Sequence, residues 1–136
     1  AIEHYKLVLD MDSVESEKIA SLNRKIGGVY ERKGEFALSL DYLKKGLNIL
    51  KEKKSPYEYA MILCYIGKVY LRLSEFGKTI SYCQDGLSIA NTINNDEVRG
   101  WIYDTLGVAE FFRGDIEKSL LFIKQTGLSL ILLHRK

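Results

Sequence analysis

The side chains that could take part in catalysis or bind a metal are few and lie far apart in this sequence. The two cysteines, Cys64 and Cys83, lack the close spacing of metal ligands or of a redox pair, and no histidine near Cys64 in sequence could activate its thiol. The two histidines, His4 and His134, lie near opposite ends of the chain. Motifs for a phosphate-binding loop, a nucleophile elbow or a zinc protease are absent from the sequence. We therefore predict that the protein is not an enzyme, with no catalytic residue, metal site or cofactor.

Composition and charge argue against several kinds of partner. The 136 residues suit a single domain. The 20 Lys and Arg against 18 Asp and Glu give a net charge of +2, without the strong basic excess typical of nucleic-acid binding. No run of apolar residues is long enough for a membrane span, and the first residues do not resemble a signal peptide. With two cysteines in the whole chain, we expect a cytoplasmic protein with reduced thiols that binds neither nucleic acid nor a membrane.

A motif recurs three times at a spacing of 40 residues. The stretch IGGVYERKGEF at 26–36 is followed by IGKVYLRLSEF at 66–76 and by LGVAEFFRGDI at 106–116. In the second copy, Ile62, Ile66 and Val69 form one apolar stripe at helical spacing, and alternation of period two is absent. Repetition at this period is typical of stacked structural units, each of which buries its apolar face against its neighbours.

Sequence signals for helix N-termini precede each repeat. Ser55 can cap a helix that begins at Pro56, and Glu58 would complete a capping box. Similar pairs stand before the other two repeats: Asp12 with Glu15, and Asn94 with Glu97. We therefore predict an all-α fold of about seven helices, consisting of one lone second helix and three antiparallel hairpins, at residues 1–11, 13–53, 55–93 and 95–134.

The repeated positions resemble the first helix of the tetratricopeptide repeat (TPR) family. The three matching segments read Asn23-x-x-Ile26-Gly27-x-x-Tyr30, Leu63-x-x-Ile66-Gly67-x-x-Tyr70 and Tyr103-x-x-Leu106-Gly107-x-x-Glu110. The 40-residue period exceeds the usual 34, and the usual proline near the end of the second helix is missing. Both departures resemble the long-helix variety of bacterial regulators and animal polarity adaptors. The resemblance implies a right-handed α-solenoid in which antiparallel hairpins stack into a TPR-like superhelix.

The C-terminal segment is unusually apolar. Residues Leu128–Leu133 are apolar on nearly every side of a helix, whereas a capping repeat should have a polar outer face. We therefore expect the sequence to be a fragment of a longer array. We also expect it to self-associate through this uncapped C-terminal helix.

The resemblance implies that the first helices line a concave groove with residues that do not repeat. The candidate partner-binding residues are Arg24, Lys25, Gly28, Arg32, Tyr65, Lys68, Arg72, Trp101, Asp104, Thr105, Phe111 and Phe112. Such a groove is basic at its N-terminal end and aromatic at its C-terminal end, so it could bind carboxylates and apolar anchors. Alternatively, the basic side chains are solvated and the aromatic ones pack against an adjacent helix. Members of the family that bind chaperone tails use a two-carboxylate clamp. Of the residues of this chain at the matching positions, only Arg24 is compatible with that clamp.

These observations predict a non-catalytic protein- or peptide-binding scaffold that uses the concave groove. Two alternatives remain open. The chain could be a regulatory sensor domain that binds a small signalling peptide and controls an attached effector domain, or it could be a structural spacer or dimerisation element.

Overall fold

The computed structural model describes the backbone of residues 2–52 and 54–134 and the side chains of residues 14–52 and 54–125. The described residues form helices and no strand, which confirms the all-α prediction. The six helices are α1 (Ile2–Arg32), α2 (Phe36–Ile49), α3 (Pro56–Arg72), α4 (Phe76–Thr92), α5 (Asp96–Arg113) and α6 (Ile116–His134). None of the helices, within these residues, is both long and apolar enough to cross a membrane.

The count of about seven helices is not confirmed, because α1 continues without interruption through the predicted break near Asp12. Residues 2–11 are therefore the beginning of α1 and not a separate helix. Neither glycine nor proline occurs between residues 2 and 26, and Asp or Ser in a helix interior costs only a few tenths of a kcal/mol, about 0.5. The side chains of His4, His134 and Leu128–Leu133 lie outside the described residues.

Consecutive helices pair into three hairpins. Helix α1 packs mainly on α2, α3 on α4 and α5 on α6, and each hairpin also contacts the next through α2 with α3 and α4 with α5. The three hairpin turns have the same geometry, with left-handed φ angles of 80° at Gly34, 61° at Ser74 and 93° at Gly114. In each turn the amide of the residue after the left-handed one donates a hydrogen bond to a carbonyl in the last turn of the preceding helix. An example is the bond from Glu35 N–H to the Tyr30 carbonyl (2.9 Å). This is the Schellman ending of a helix, which requires one left-handed residue.

The N-terminal caps differ from those predicted. Helix α3 begins at Pro56 as expected, but Ser55 makes no capping hydrogen bond; its hydroxyl instead donates to the Glu17 carboxylate (2.9 Å). The cap of α5 is Asn95, not Asn94, and its Oδ1 accepts from the Val98 amide (2.9 Å). The sequence thus located these helix starts to within a residue, but not the side chains that cap them.

The recurring glycine is the point at which the two helices of a hairpin come closest. A Cβ atom at Gly27 would lie 2.7 Å from Leu43 Cγ, and a Cβ at Gly67 would lie 2.7 Å from Cys83 Sγ. Both distances are well inside van der Waals contact. In the first hairpin the close approach also lets the Ser39 hydroxyl donate to the Gly27 carbonyl (2.7 Å). Glycine therefore recurs because any side chain at this position would separate the paired helices.

A pair of alanine substitutions tests this steric role. We expect Gly27→Ala to lower the free energy of unfolding by about 1–3 kcal/mol, since the fully buried Leu43 must move aside. Gly77→Ala is the matched control, because a Cβ at this helical glycine meets nothing within 4 Å and should stabilise by up to about 1 kcal/mol. Chemical denaturation measures both effects, and equal changes for the two variants would contradict the steric explanation.

Candidate functional site

The three first helices of the hairpins form one shared surface, which we call the α1/α3/α5 face. Helix α3 lies in contact with both α1 and α5. Between α1 and α3 the ring of Tyr65 packs on the backbone of Gly28, where a Cβ would lie 3.2 Å from the ring. Between α3 and α5 lies a cavity of about 260 Å³, lined by Cys64, Tyr65, Lys68, Trp101, Asp104 and Thr105. The structure thus brings most of the sequence-predicted candidates onto one surface.

Arg24 is engaged inside the protein and not presented to a partner. Its guanidinium donates to both carboxylate oxygens of Glu58, with Nε 2.6 Å from Oε2 and Nη2 3.3 Å from Oε1. The two side chains are 14% and 6% exposed. Burial alone would lower the pKa of Arg24, but the hydrogen bond and charge of Glu58, assisted by Tyr65, outweigh it and raise that pKa. Arg24 therefore ties α1 to α3 as a permanently charged partner of Glu58.

A second group of charges lies closer to the C-terminal ends of α1 and α3. Arg72 Nη1 is 2.6 Å from Glu31 Oε2, and Lys68 Nζ is 4.0 Å from the other oxygen of the same carboxylate. Arg72 and Lys68 are each about half exposed, whereas the Glu31 side chain is 12% exposed. The exposed Arg32 reaches back over Gly28. Lys68 and Arg72 thus share a single carboxylate, with the third cation, Arg32, next to Gly28, and this part of the face keeps a net positive charge.

Tyr65 connects the two groups of charges. Its hydroxyl lies 3.5 Å from Arg24 Nη1, and its ring is approached by two cations: Arg24 Cζ is 5.3 Å and Lys68 Nζ is 5.7 Å from the ring centroid. Cations within about 6 Å of an aromatic ring are held by the ring's quadrupole. Tyr65 therefore positions Lys68 at the rim of the cavity between α3 and α5.

The cavity itself combines an exposed aromatic ring with an unpaired acid. Trp101 is 43% exposed, and its carbonyl accepts a hydrogen bond from the Thr105 hydroxyl (3.0 Å). Asp104 is exposed and has no hydrogen-bond or ion-pair partner among the side chains described. Cys64 contributes to the lining although it is almost fully buried. The cavity thus offers an apolar surface together with an ammonium group of Lys68 and a carboxylate.

The Cys64 thiol is held in its neutral form. Burial raises its pKa to about 11, although Lys68 and a hydrogen bond with Thr105 act in the opposite direction. Burial likewise raises the pKa of Cys83 well above its usual value. Because the thiolate is the nucleophilic and metal-binding form, neither cysteine is activated for chemistry. The described part of the chain also contains no cluster of three or more side chains able to hold a metal ion.

Three predicted candidates belong neither to this cavity nor to the groups of charges beside it. Lys25 lines a different, larger groove of about 1000 Å³ between α1 and the start of α3. Phe112 stacks on Phe76 of the neighbouring helix α4 with ring centroids 5.7 Å apart, and Phe111 meets Phe112 edge to face. For Phe112 the structure thus shows the packing alternative, although both phenylalanine side chains are more than half exposed.

Glu58 is the residue of this site that the sequence did not identify. Its pairing with Arg24 crosses between hairpins, and the sequence offered a simpler role for it in a helix cap. One signal was available: 40 residues later the corresponding position is Val98, which is fully buried. A carboxylate in a position that the next repeat fills with a buried valine indicates a buried ion pair.

A comparison with protein-family models gives no match, and neither does a comparison with curated proteins. The inference of function therefore depends on the chemistry of this chain.

Removing Glu58 should reveal how strongly α1 and α3 depend on their buried ion pair. We expect Glu58→Ala to lower the free energy of unfolding by about 3 kcal/mol, because it leaves the Arg24 charge largely buried without a partner. Lys18→Ala, which breaks the exposed Lys18–Glu15 pair, should change it by less than about 0.5 kcal/mol. Chemical denaturation measures both variants. If the two lost a similar amount of unfolding free energy, the buried pair would not be what holds α1 on α3.

The burial of the two thiols predicts slow alkylation of the native protein. At pH 8 a thiol with a pKa of about 11 has roughly one thiolate per thousand, so we expect iodoacetamide to react about a hundredfold more slowly than with the denatured chain. Mass spectrometry over time measures this, with the protein in guanidinium as the control. Complete modification of Cys64 in the native state at the denatured rate would contradict its assignment as an inert, buried thiol.

Proposed function

We propose that this chain is a non-catalytic peptide- or protein-binding module, built as a TPR-like α-solenoid and using the α1/α3/α5 face. The observation that carries the proposal is the composition of that face around the cavity. An exposed tryptophan, an unpaired carboxylate and a group of cations with residual positive charge stand side by side on rigid helices. The sequential contacts of three hairpins support the solenoid part of the proposal.

The size of the cavity favours a peptide over a small-molecule ligand. At about 260 Å³ it is below the range of about 300–1,000 Å³ of typical small-molecule pockets, and it suits one side chain of a longer ligand. Aromatic residues with a polar surround are the usual anchors of protein interfaces. We infer that an apolar or aromatic side chain of the partner rests against Trp101.

The charges suggest what lies next to that anchor. Lys68 and Arg72 share one carboxylate, Glu31, so an acidic group of the partner can be bound without breaking a buried pair. Arginine can bind a carboxylate through two hydrogen bonds. Since Arg24 is saturated by Glu58, it contributes structure and not recognition. The proposed ligand is therefore an extended segment with an apolar side chain near an acidic one.

Selection from a display library of random peptides tests this proposal. Selected peptides should contain an acidic residue near an aromatic or large apolar one, and should change the fluorescence of Trp101, the single tryptophan of the chain. Binding of the labelled peptides, followed by anisotropy, should weaken about tenfold or more in Trp101→Ala and in Lys68→Glu. Leu38→Lys on α2 is the control, because the corresponding positions in the other hairpins are Lys78 and Lys118.

Two outcomes would contradict the proposal. One is a library that yields no enriched peptide against the folded chain. The other is a set of peptides whose affinity is unchanged in both Trp101→Ala and Lys68→Glu, which would move binding away from the α1/α3/α5 face.

A further inference from the structure

One side of α1 exposes apolar residues that the other hairpins bury. Leu22 is 58% exposed and Val29 is 41% exposed. The residues at the same places in the second hairpin, Ile62 and Val69, are fully buried, and so are their counterparts in the third, Ile102 and Ala109. Because these positions have the same apolar character in all three copies, the difference lies in what covers them.

In the second and third hairpins the cover is the preceding second helix. A Cβ at Gly46 of α2 would lie 3.2 Å from Ile62 Cδ1, and a Cβ at Gly86 of α4 would lie 3.2 Å from Ile102 Cδ1. Leu43 of α2 belongs to the same core as Ile62 and Val69. Helix α1 therefore presents a surface shaped for a second helix of the kind that α2 and α4 provide.

Helix α6 exposes the opposite half of that contact. Leu120 is 61% and Ile123 is 48% exposed, whereas their counterparts on α4, Ile80 and Cys83, are buried in a core to which both α3 and α5 contribute. Ile123 still packs inward, since a Cβ at Gly107 would lie 3.2 Å from its Cγ1. What α6 lacks, within the described residues, is the following first helix.

A polar pair indicates that the two faces fit one another in register. Between α2 and α3, the Lys44 ammonium donates to the Tyr70 hydroxyl (3.1 Å). The residue equivalent to Lys44 on α6 is Lys124, and the residue equivalent to Tyr70 on α1 is Tyr30. The environment of Tyr30 is also the same: it stacks on Tyr42 at 5.5 Å, just as Tyr70 stacks on Tyr82 at 5.6 Å. The two ends of the chain thus hold both partners of a hydrogen bond that the chain already makes internally.

We propose that α6 of one copy packs on α1 of a second copy, head to tail, through residues equivalent to those of the α2–α3 contact, with Thr126 at the place of Gly46. Leu120 and Ile123 of the first copy cover Leu22 and Val29 of the second, and Lys124 donates to the Tyr30 hydroxyl. Because the two faces differ, the contact is heterologous, and further copies can add at both ends. This assembly involves the ends of the molecule and leaves the cavity between α3 and α5 open.

Blocking each face separately tests the proposal. Leu22→Glu removes the α1 face and Leu120→Glu removes the α6 face, and both side chains are more than half exposed, so the monomer fold should be kept, as circular dichroism would check. We expect the average mass of the unmodified chain in sedimentation equilibrium to rise with concentration beyond a dimer, and each variant alone to remain monomeric. An equimolar mixture of the two should form a heterodimer and nothing larger, because one intact α1 face and one intact α6 face remain.

Two further variants separate the proposed contact from other effects of surface substitution. Leu38→Lys, a change on an exposed position of α2, should associate like the unmodified chain, and Tyr30→Phe should associate several-fold more weakly. An unmodified chain that stays monomeric at every concentration would overturn the proposal. So would either glutamate variant that still associates on its own, or a mixture that stays monomeric while the unmodified chain assembles.

Discussion

The close approach of two helices at a glycine is the constraint on which the rest of this structure depends. At Gly27 and Gly67 a side chain of the partner helix fills the space that a Cβ would occupy, so the paired helices lie closer together than a side chain at either glycine would allow. Left-handed turns at Gly34, Ser74 and Gly114 give the three hairpins the same geometry. Because every hairpin has the same thickness, each can cover the next with the same apolar residues, and the three first helices come to share one face.

On that shared face, the chain neutralises its most buried cation and leaves the outer ones partly free. A buried charge must be paired, because its loss of hydration is otherwise too costly; Arg24 accordingly has Glu58 to itself. Lys68 and Arg72 are half exposed and divide one carboxylate between them. The N-terminal, basic end of the predicted groove therefore separates into a structural part and a part with charge left for recognition.

The features that follow from the repeated residues could be predicted from the sequence. The features that depend on the contacts of one particular side chain could not. Hairpins, turns and the position of the first helices follow from recurring residues such as Gly27 and Gly67, whose packing is local and repeated. The continuity of α1 was not predicted, since Asp12 and Glu15 match a helix start but are equally compatible with an exposed helix interior. The role of Glu58 was missed because its partner lies on another hairpin, and one sequence does not show which distant side chains meet. Trp101 and Thr105 were predicted to lie on one face, but that they line a common cavity with Cys64 depends on the distance between α3 and α5.

The contacts between hairpins show how similar apolar interfaces within one chain can each specify their own register and partner helix. Apolar cover alone would tolerate a shift of one helix along another, because leucine and isoleucine are exchangeable at such positions. A polar contact is less tolerant: the Tyr70 side chain is 7% exposed, and its hydroxyl accepts a part-buried hydrogen bond that would be lost on such a shift, at a cost of about 1 kcal/mol. The Lys44–Tyr70 hydrogen bond therefore fixes the register of α2 on α3. At the next interface the equivalent residues are Gln84 and Glu110, a different polar combination at the same place. Since the polar pair changes while the apolar cover does not, each interface can favour its own partner. The combination of Lys124 with Tyr30 is the same as that between α2 and α3 and differs from that between α4 and α5.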